Sequence, residues 1–506
     1  MFVLFFEIIY AEVDTANEGR KNILFLVADD MRPSLGCYSD CHHGFDSPVM
    51  HTPNLDSLSD KSILFERAYV QQALCSPSRT SLLTGRRPDT TRVTDLHHYF
   101  RDVGGNFTTI PQYFKEHGYY SVGMGKIFHT DDPLSWSEPL HRSPDYWHSN
   151  KYSWRALTPE QYNKHPPQDT METEYAISKL RELAKGFQLT KKPFFLALGL
   201  HKPHLPFIFP EDFLSLYPEE TIHIPDNSYA PVDMPNKAWS NFGELRYFAD
   251  TSNDEMGIND LGQIGVTYPD YKVKELRRAY YAAVSYADYT LGQILNELSS
   301  LGLEKSTIVS FWGDHGWQLG EHTEWCKHTN FEVATHAPLM LRIPGLTDDG
   351  IRTSKLVEFV DLFPTLVEAT GMDPLEVCPL NSNDVELCSE GSSLVPLIKD
   401  PENKNWKEAI FWQYPRNGNQ ADRCMGYSIR TDTHHYTEWV HIKAHEDGVS
   451  YEPEWGRPCT HAELYNLKKD PKENRNVYND PEYEEIILEL SLRLRAGWRA
   501  EIIFEL

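Results

Sequence analysis

NILFLVADD (residues 22–30) is a short apolar run that stops abruptly at two aspartates. A run of this length without polar–apolar alternation reads as a strand covered on both faces, the usual state in a parallel sheet. PFFLALGL (193–200), TIVSFW (307–312) and PLMLRI (338–343) have the same form, and all four are read as buried parallel strands. Helical stretches separate them, one from about Glu172 to Lys185 and one from about Glu275 to Leu298. In the second, Leu276, Tyr280, Ala283, Ala287, Leu291 and Leu295 recur at helical spacing. Strands alternating with helices predict an α/β fold with a helix-flanked, mostly parallel sheet.

Polar residues follow directly on three of these strands. The first runs into Asp29-Asp30, the second into His201-Lys202-Pro203-His204, the third into Gly313-Asp314-His315-Gly316. Ligands of open α/β sheets bind at the carboxyl ends of the strands, so these groups are expected to converge. Asp29, Asp30 and Asp314 offer the hard oxygens that Mg²⁺ and Ca²⁺ prefer. Carboxylates forced together repel one another unless a cation sits among them. His315 is a softer ligand than such cations usually take.

After about residue 395 the pattern changes. GYSIRT, HYTEWV and AELYNL are short strands of mixed polarity, as in an antiparallel sheet with one wet face, and a last helix over about 481–500 sets Ile486, Leu490 and Leu494 on one side. Residues 19–395 are therefore read as a catalytic domain and 396–506 as a smaller α+β domain. The Pro-, Asn- and Asp-rich stretch 205–272 is expected to be a long surface excursion near the site. MFVLFFEIIYAEV at the start has the length of a signal-peptide core, although Glu7 interrupts it and no basic residue precedes it; residues 1–18 are read as a secretory signal. No later stretch is long and apolar enough to span a membrane.

The formal charge is −26, from 48 Lys and Arg against 74 Asp and Glu, which argues against nucleic acid as a partner. It leaves room for an anionic substrate held by a few cations in a cleft. Of eight cysteines, Cys378–Cys388 and Cys424–Cys459 are plausible disulfides in a secreted chain, and Asn106-Phe107-Thr108 is a glycosylation sequon.

Residues 75–86 read CSPSRTSLLTGR, a loop entering a helix with Pro in its first turn and Ser or Thr available as caps. Cys-x-Pro-x-Arg followed by Leu-Leu-Thr-Gly-Arg resembles the signature of the type I sulfatases, in which the cysteine is oxidised to formylglycine. The resemblance extends through NILFLVADDMRPSLGCY, GNFTTIPQYFKEHGY, VGMGKIFH, HKPHLPF, GDHGWQLGEHTEWCKHTNFEVATHAPL and MGYSIRT, most of the chain. These segments are similar to the branch of the family that removes the 2-O-sulfate of non-reducing-end iduronate in heparan and dermatan sulfate.

The resemblance implies an alkaline-phosphatase-like fold and a lysosomal or secreted enzyme matured by the formylglycine-generating enzyme. It implies that Asp29, Asp30, Asp314 and His315, with the modified Cys75, bind one divalent cation, Ca²⁺ by likeness. It implies that Arg79 and the cation activate the nucleophile, that Lys126, His204 and Lys327 hold the sulfate, and that His204 or Lys327 protonates the leaving alcohol. His129 would take a proton from the hydrated aldehyde. Trp317, Glu321, His322 and Trp325 either shape the sugar pocket or pack helices. Residues 130–172 and 225–270 depart from the family pattern, so a sulfatase for another sugar, or a metal-dependent phosphoesterase, stays open as an alternative.

Overall fold

The computed structural model describes residues 19–41, 46–416, 423–444 and 451–501. The N-terminal segment read as a signal lies outside them. The main sheet has seven strands: β1 (Asn22–Asp29), β2 (Ile63–Tyr69), β3 (Tyr120–Gly125), β4 (Phe194–Pro203), β5 (Thr307–Gly313), β6 (Leu339–Arg342) and β7 (Ile351–Glu358), in the order β7-β2-β6-β5-β1-β4-β3. β1 sits between β4 and β5, parallel to both. The apolar run of β1 now has its reason. Leu24, Leu26 and Ala28 enter one core cluster while Ile23, Phe25 and Val27 enter the other, so both faces are dry.

α1 (Cys75–Thr84) and the segment around Leu362 and Phe363 cover one face. α2 (Gln168–Thr190) and α4 (Asp270–Ser300), which come before and after the short α3 (Gly243–Arg246), cover the other. In α4, Leu276, Tyr280, Ala283, Ala287 and Leu291 are fully buried at the spacing read from the sequence. Burying each large apolar side chain of this stripe contributes about 1.5–3 kcal/mol.

Two strand readings are corrected. PLMLRI does form a buried strand, β6, but it runs antiparallel to both β2 and β5. β4 does not stop at Leu200 and continues through His201 and Lys202 to Pro203.

A second, antiparallel sheet follows: β8 (Ala409–Arg416), β9 (Cys424–Thr431), β10 (His434–Ala444) and β11 (Tyr451–Pro458) in that order, with β12 (Glu463–Asn466) beside β10. α5 (Glu484–Ala496) packs Leu490 and Leu494 into its core. Cys378–Cys388 and Cys424–Cys459 are both bonded. Among the described residues no helix is long and apolar enough to cross a membrane.

The stretch 205–272 is less superficial than its composition suggests. Phe207, Phe209, Tyr217, Trp239 and Phe242 are buried in the main core. Glu324 ties this stretch to the turn after β5, accepting from Ser240 N at 2.9 Å and from Gln318 Nε2 at 2.8 Å. Neither donor is a cation, and burial pushes the Glu324 carboxyl up to about 8. Between the unfolded carboxyl range and about pH 8 the unfolded chain has lost this proton while the folded one keeps it, so Glu324 lowers stability progressively as pH rises. Glu324→Gln removes the titration. Its Tm relative to the parent is expected to be higher by a few degrees at the alkaline end of this window than at the acid end, by paired thermal melts. An offset independent of pH would show that Glu324 is ionised in the fold.

Candidate active site

The carboxyl ends of β1, β3, β4 and β5 meet. β1 and β5 are in register at Ala28 and Gly313, and β1 and β4 at Asp29 and Pro203. Asp29, Asp30, Asp314 and His204 therefore emerge at one edge. β3 approaches β4 so closely that a Cβ on Gly125, at φ +70°, would lie 2.1 Å from Gly199 O, and only glycine allows Lys126 to turn in here. α1 starts at Cys75 over this edge. No Ser or Thr side chain caps it; Leu74 is the N-cap, in extended conformation, and Gly85 in the left-handed region ends the helix.

Arg79, fully buried, is the hub. Its Nε donates to Asp314 Oδ2 at 2.9 Å, one terminal nitrogen to Asp29 Oδ1 at 3.0 Å, and the other to Ile127 O at 3.1 Å and to Lys126 O. Asp314 Oδ1 accepts from Asp30 N at 2.9 Å. Lys126 Nζ pairs with Asp29 Oδ2 and lies 3.9 Å from Cys75 Sγ. Lys327 Nζ is 2.7 Å from Asp30 Oδ1 and sits 5.1 Å over the Trp317 ring.

Burial pushes the Asp29 carboxyl up, but Lys126, His204 and Arg79 outweigh it and hold it well below the usual range. For Asp30, burial with the like charge of Asp29 outweighs Lys327, and the carboxyl rises to about 7. Burial and Asp29 push the Cys75 thiol well up, so the unmodified cysteine is protonated and a poor nucleophile. His129 is pushed down to about 4, by burial and then by Lys126 and Arg79, which leaves it a neutral base.

The donor set fits a divalent cation. One atom each of Asp29, Cys75, Asp314 and His315 lie within 4.8 Å of one another, as do atoms of Asp29, Asp30, Cys75 and His204. Asp30 Oδ2 is buried without a hydrogen-bond partner. His315 Nδ1 faces Gly316 O at 2.9 Å and must donate there. Burial favours the neutral ring, whose Nε2 then faces the Cys75 thiol at 3.4 Å, Asp30 Oδ1 at 3.4 Å and Asp314 Oδ2 at 3.6 Å. Acceptors facing acceptors in a dry site are what a metal ion satisfies.

Every residue singled out from the sequence for catalysis or metal binding reaches this edge. Of the four residues between Asp314 and Lys327 whose role was open, Glu321, His322 and Trp325 are packing residues. Glu321 pairs with Arg32 and Arg277, His322 bonds Lys472 O, and Trp325 bonds Thr267. Trp317 alone touches the site, beneath Lys327.

Three residues were not foreseen: Glu244, His328 and Tyr414. Glu244 bridges Lys327 at 3.2 Å, His204 at 3.1 Å and His328 at 3.2 Å, and His328 meets the Tyr414 hydroxyl at 2.8 Å. Only the adjacency of His328 to Lys327 hinted at any of them. A cavity of about 280 Å³ opens beside Lys126, His129 and His204, walled by Arg142, Trp147 and Lys202.

Residues 21–372 match the sulfatase family, and residues 320–499 match the family described as N-sulphoglucosamine sulphohydrolase, C-terminal. The chain is 38% identical to the iduronate 2-sulfatase of Mus musculus and 37% identical to that of Homo sapiens, over 91% of this chain and 91% of each relative. A solved structure holding its substrate D-glucosamine-2-N,6-O-disulfate superposes with a TM-score of 0.71 at 21% identity, covering 96% of this chain and 99% of that one. The phosphonate monoester hydrolase of Agrobacterium radiobacter gives 0.68 at 21% identity, over 95% and 96%. Sulfatases as a family use a formylglycine and a divalent metal. The chain belongs to the sulfatase family and is a sulfuric ester hydrolase.

Proposed function

We propose that this sulfatase removes the 2-O-sulfate of non-reducing-end iduronate in heparan and dermatan sulfate, using a formylglycine made from Cys75 and a bound Ca²⁺. The observation that carries the chemistry is the position of Cys75 at the start of α1, between the carboxylates Asp29 and Asp314 and the ammonium of Lys126. Support for the sugar comes from the two relatives named iduronate 2-sulfatase, each matched over 91% of this chain. It also comes from Arg142 in the cavity wall, a cation placed to meet a second anionic group such as a uronate carboxylate.

Asp29, Asp30, Asp314 and His315 would hold the cation together with the converted Cys75. Bound there, the cation would supply charge that favours an ionised oxygen on the converted side chain. Converted to a hydrated aldehyde, Cys75 would supply one hydroxyl for attack on sulfur and a second for the release of sulfate. Arg79 is fully engaged by Asp29, Asp314 and two carbonyls, so it holds the carboxylates in place and acts on Cys75 through its field. Lys126, His204 and Lys327 bind the sulfate oxygens, and His204 or Lys327 passes a proton to the departing alcohol. His129, held neutral, accepts the proton of the second hydroxyl.

Cys75 is only 3% exposed, so its oxidation by the formylglycine-generating enzyme has to precede closure of the fold. Two disulfides and an exposed Asn106 support a secretory route to the lysosome or cell exterior. Residues 19–395 form the catalytic unit and 396–506 the smaller one; the support is that the seven-stranded sheet ends at Glu358 and the antiparallel sheet begins at Ala409.

The test is sulfate release at mildly acidic pH with Ca²⁺, from a disaccharide whose only sulfate is the 2-O-sulfate of a terminal iduronate. The chain is co-expressed with the formylglycine-generating enzyme, with Cys75→Ala as control. Release by the parent alone is the expected result. No release from protein whose Cys75 peptide carries the aldehyde mass would rule out iduronate 2-sulfate as the substrate.

A further inference from the structure

Lys327 and His204, the two basic side chains on the leaving-group side of the site, share one carboxylate that the sequence placed in a surface excursion. Glu244 Oε1 lies 3.2 Å from Lys327 Nζ and 3.1 Å from His204 Nε2. Its Oε2 lies 3.2 Å from His328 Nε2, and His328 Nδ1 lies 2.8 Å from the Tyr414 hydroxyl. One neutral tautomer of His328 satisfies both contacts: Nε2–H donates to Glu244 and Nδ1 accepts from Tyr414. The other ring nitrogen of His204 faces Leu205 O. Asp30 also holds Lys327, at 2.7 Å, and lies 3.8 Å from His204; Glu244 holds both residues from the opposite side, and the chain of contacts beyond it ends on β8 of the second sheet.

The backbone at both ends of this bridge is strained. Phe242, fully buried, enters α3 at φ +37°, and His328 sits at φ +78°. A bulky residue in this region of backbone space persists only where surrounding structure enforces it. Here Arg246 enforces it, donating to Asn241 O at 3.0 Å and Leu261 O at 3.1 Å, so that the four-residue helix presents Glu244 inward. Burial pushes the Glu244 carboxyl up, but Lys327, His204 and His328 outweigh it and keep it ionised.

We propose that Glu244 is a positioning residue for the leaving-group side of the reaction, holding His204 and Lys327 in the one arrangement that delivers a proton to the departing alcohol, with His328 and Tyr414 fixing Glu244 in turn. This rests on the chain acting as a sulfatase on a sugar alcohol, a poor leaving group for which a placed proton matters most. A carboxylate beside two sulfate-binding side chains has one rival role, that of a resident anion competing with sulfate for them. The two roles predict opposite effects on sulfate affinity.

The experiment uses the full chain with Cys75 converted, and whichever sulfated disaccharide the parent turns over. It measures kcat, KM and the inhibition constant of inorganic sulfate for the parent, Glu244→Gln, Glu244→Asp and Tyr414→Phe. Positioning predicts that Glu244→Gln loses about 10–100-fold in kcat while KM and the sulfate inhibition constant stay within about threefold. Glu244→Asp is expected to recover part of the loss, and Tyr414→Phe to show a smaller loss of the same kind with an unchanged melt. An unchanged kcat overturns the proposal. So does a sulfate inhibition constant that tightens about tenfold or more in Glu244→Gln, which would make Glu244 a competitor. A parent with the aldehyde in place that releases sulfate from no sulfated sugar overturns the sulfatase reading on sugars, and this inference with it.

Discussion

Arg79→Ala is expected to lower sulfate release by about three orders of magnitude and to destabilise the fold by about 3–5 kcal/mol. Both effects have one source. The guanidinium is fully buried and joins Asp29 and Asp314 on different strands, with the carbonyls of Lys126 and Ile127 on its far side. Without it, two buried carboxylates lose their shared counter-charge, and two carbonyls lose a donor. Lysine is no substitute, because a single ammonium cannot reach all these acceptors in one plane, so Arg79→Lys is expected to recover only a minor part. Denaturant melts and sulfate release with Cys75 conversion checked by mass separate the two effects. An Arg79→Ala protein with parental stability would mean that Asp29 and Asp314 find other partners, and that the hub assigned to Arg79 does not exist.

Removing divalent cations with a chelator is expected to stop sulfate release and to lower Tm, and Ca²⁺ is expected to restore both. A ligand at about 100 times its Kd stabilises a folded protein by about 2.7 kcal/mol. The site has particular reason to respond: burial and Asp29 lift the Asp30 carboxyl to about 7, its Oδ2 has no hydrogen-bond partner, and the carboxylates of Asp29, Asp30 and Asp314 stand together. Asp30→Asn keeps the shape and removes one charge. It is expected to lose most of the Ca²⁺-dependent rise in Tm, while its metal-free Tm equals or exceeds the parent's because a like-charge contact is gone. Calorimetric melts with chelator and with Ca²⁺ read this directly. Equal melting of the parent in both conditions would falsify the metal assignment.

Much of the site was legible because its chemistry lies at strand ends. Asp29, Asp30, Asp314 and His315 follow apolar runs immediately, and any parallel sheet brings such ends together. Lys126 and Lys327 follow no such run; only the family likeness pointed to them. Glu244 was hidden for a physical reason. It sits on a four-residue helix with no periodicity to detect, held by the positive φ of Phe242 and the bonds of Arg246. Tyr414 comes from another sheet, and nothing in its neighbourhood of sequence points toward Lys327.

The strands divide the same way. Ile63–Tyr69, Tyr120–Gly125 and Ile351–Glu358 escaped notice because Glu66 and Arg67, paired glycines, or an edge position break the apolar run. β6 was found but its direction was not, since burial on both faces demands the same side chains whichever way the chain runs.

By itself the sequence determined the helix-flanked sheet and the carboxylate-bearing strand ends, because each depends on residue type and short spacing. Tertiary structure alone decided how Arg79 is shared between two strands, that Glu321, His322 and Trp325 pack the core, and that Glu244 joins Lys327 to His204. Those contacts bring together residues tens to hundreds of positions apart. Their energy comes from excluding water around paired charges, and that exclusion exists only once the sheets and helices have closed over them.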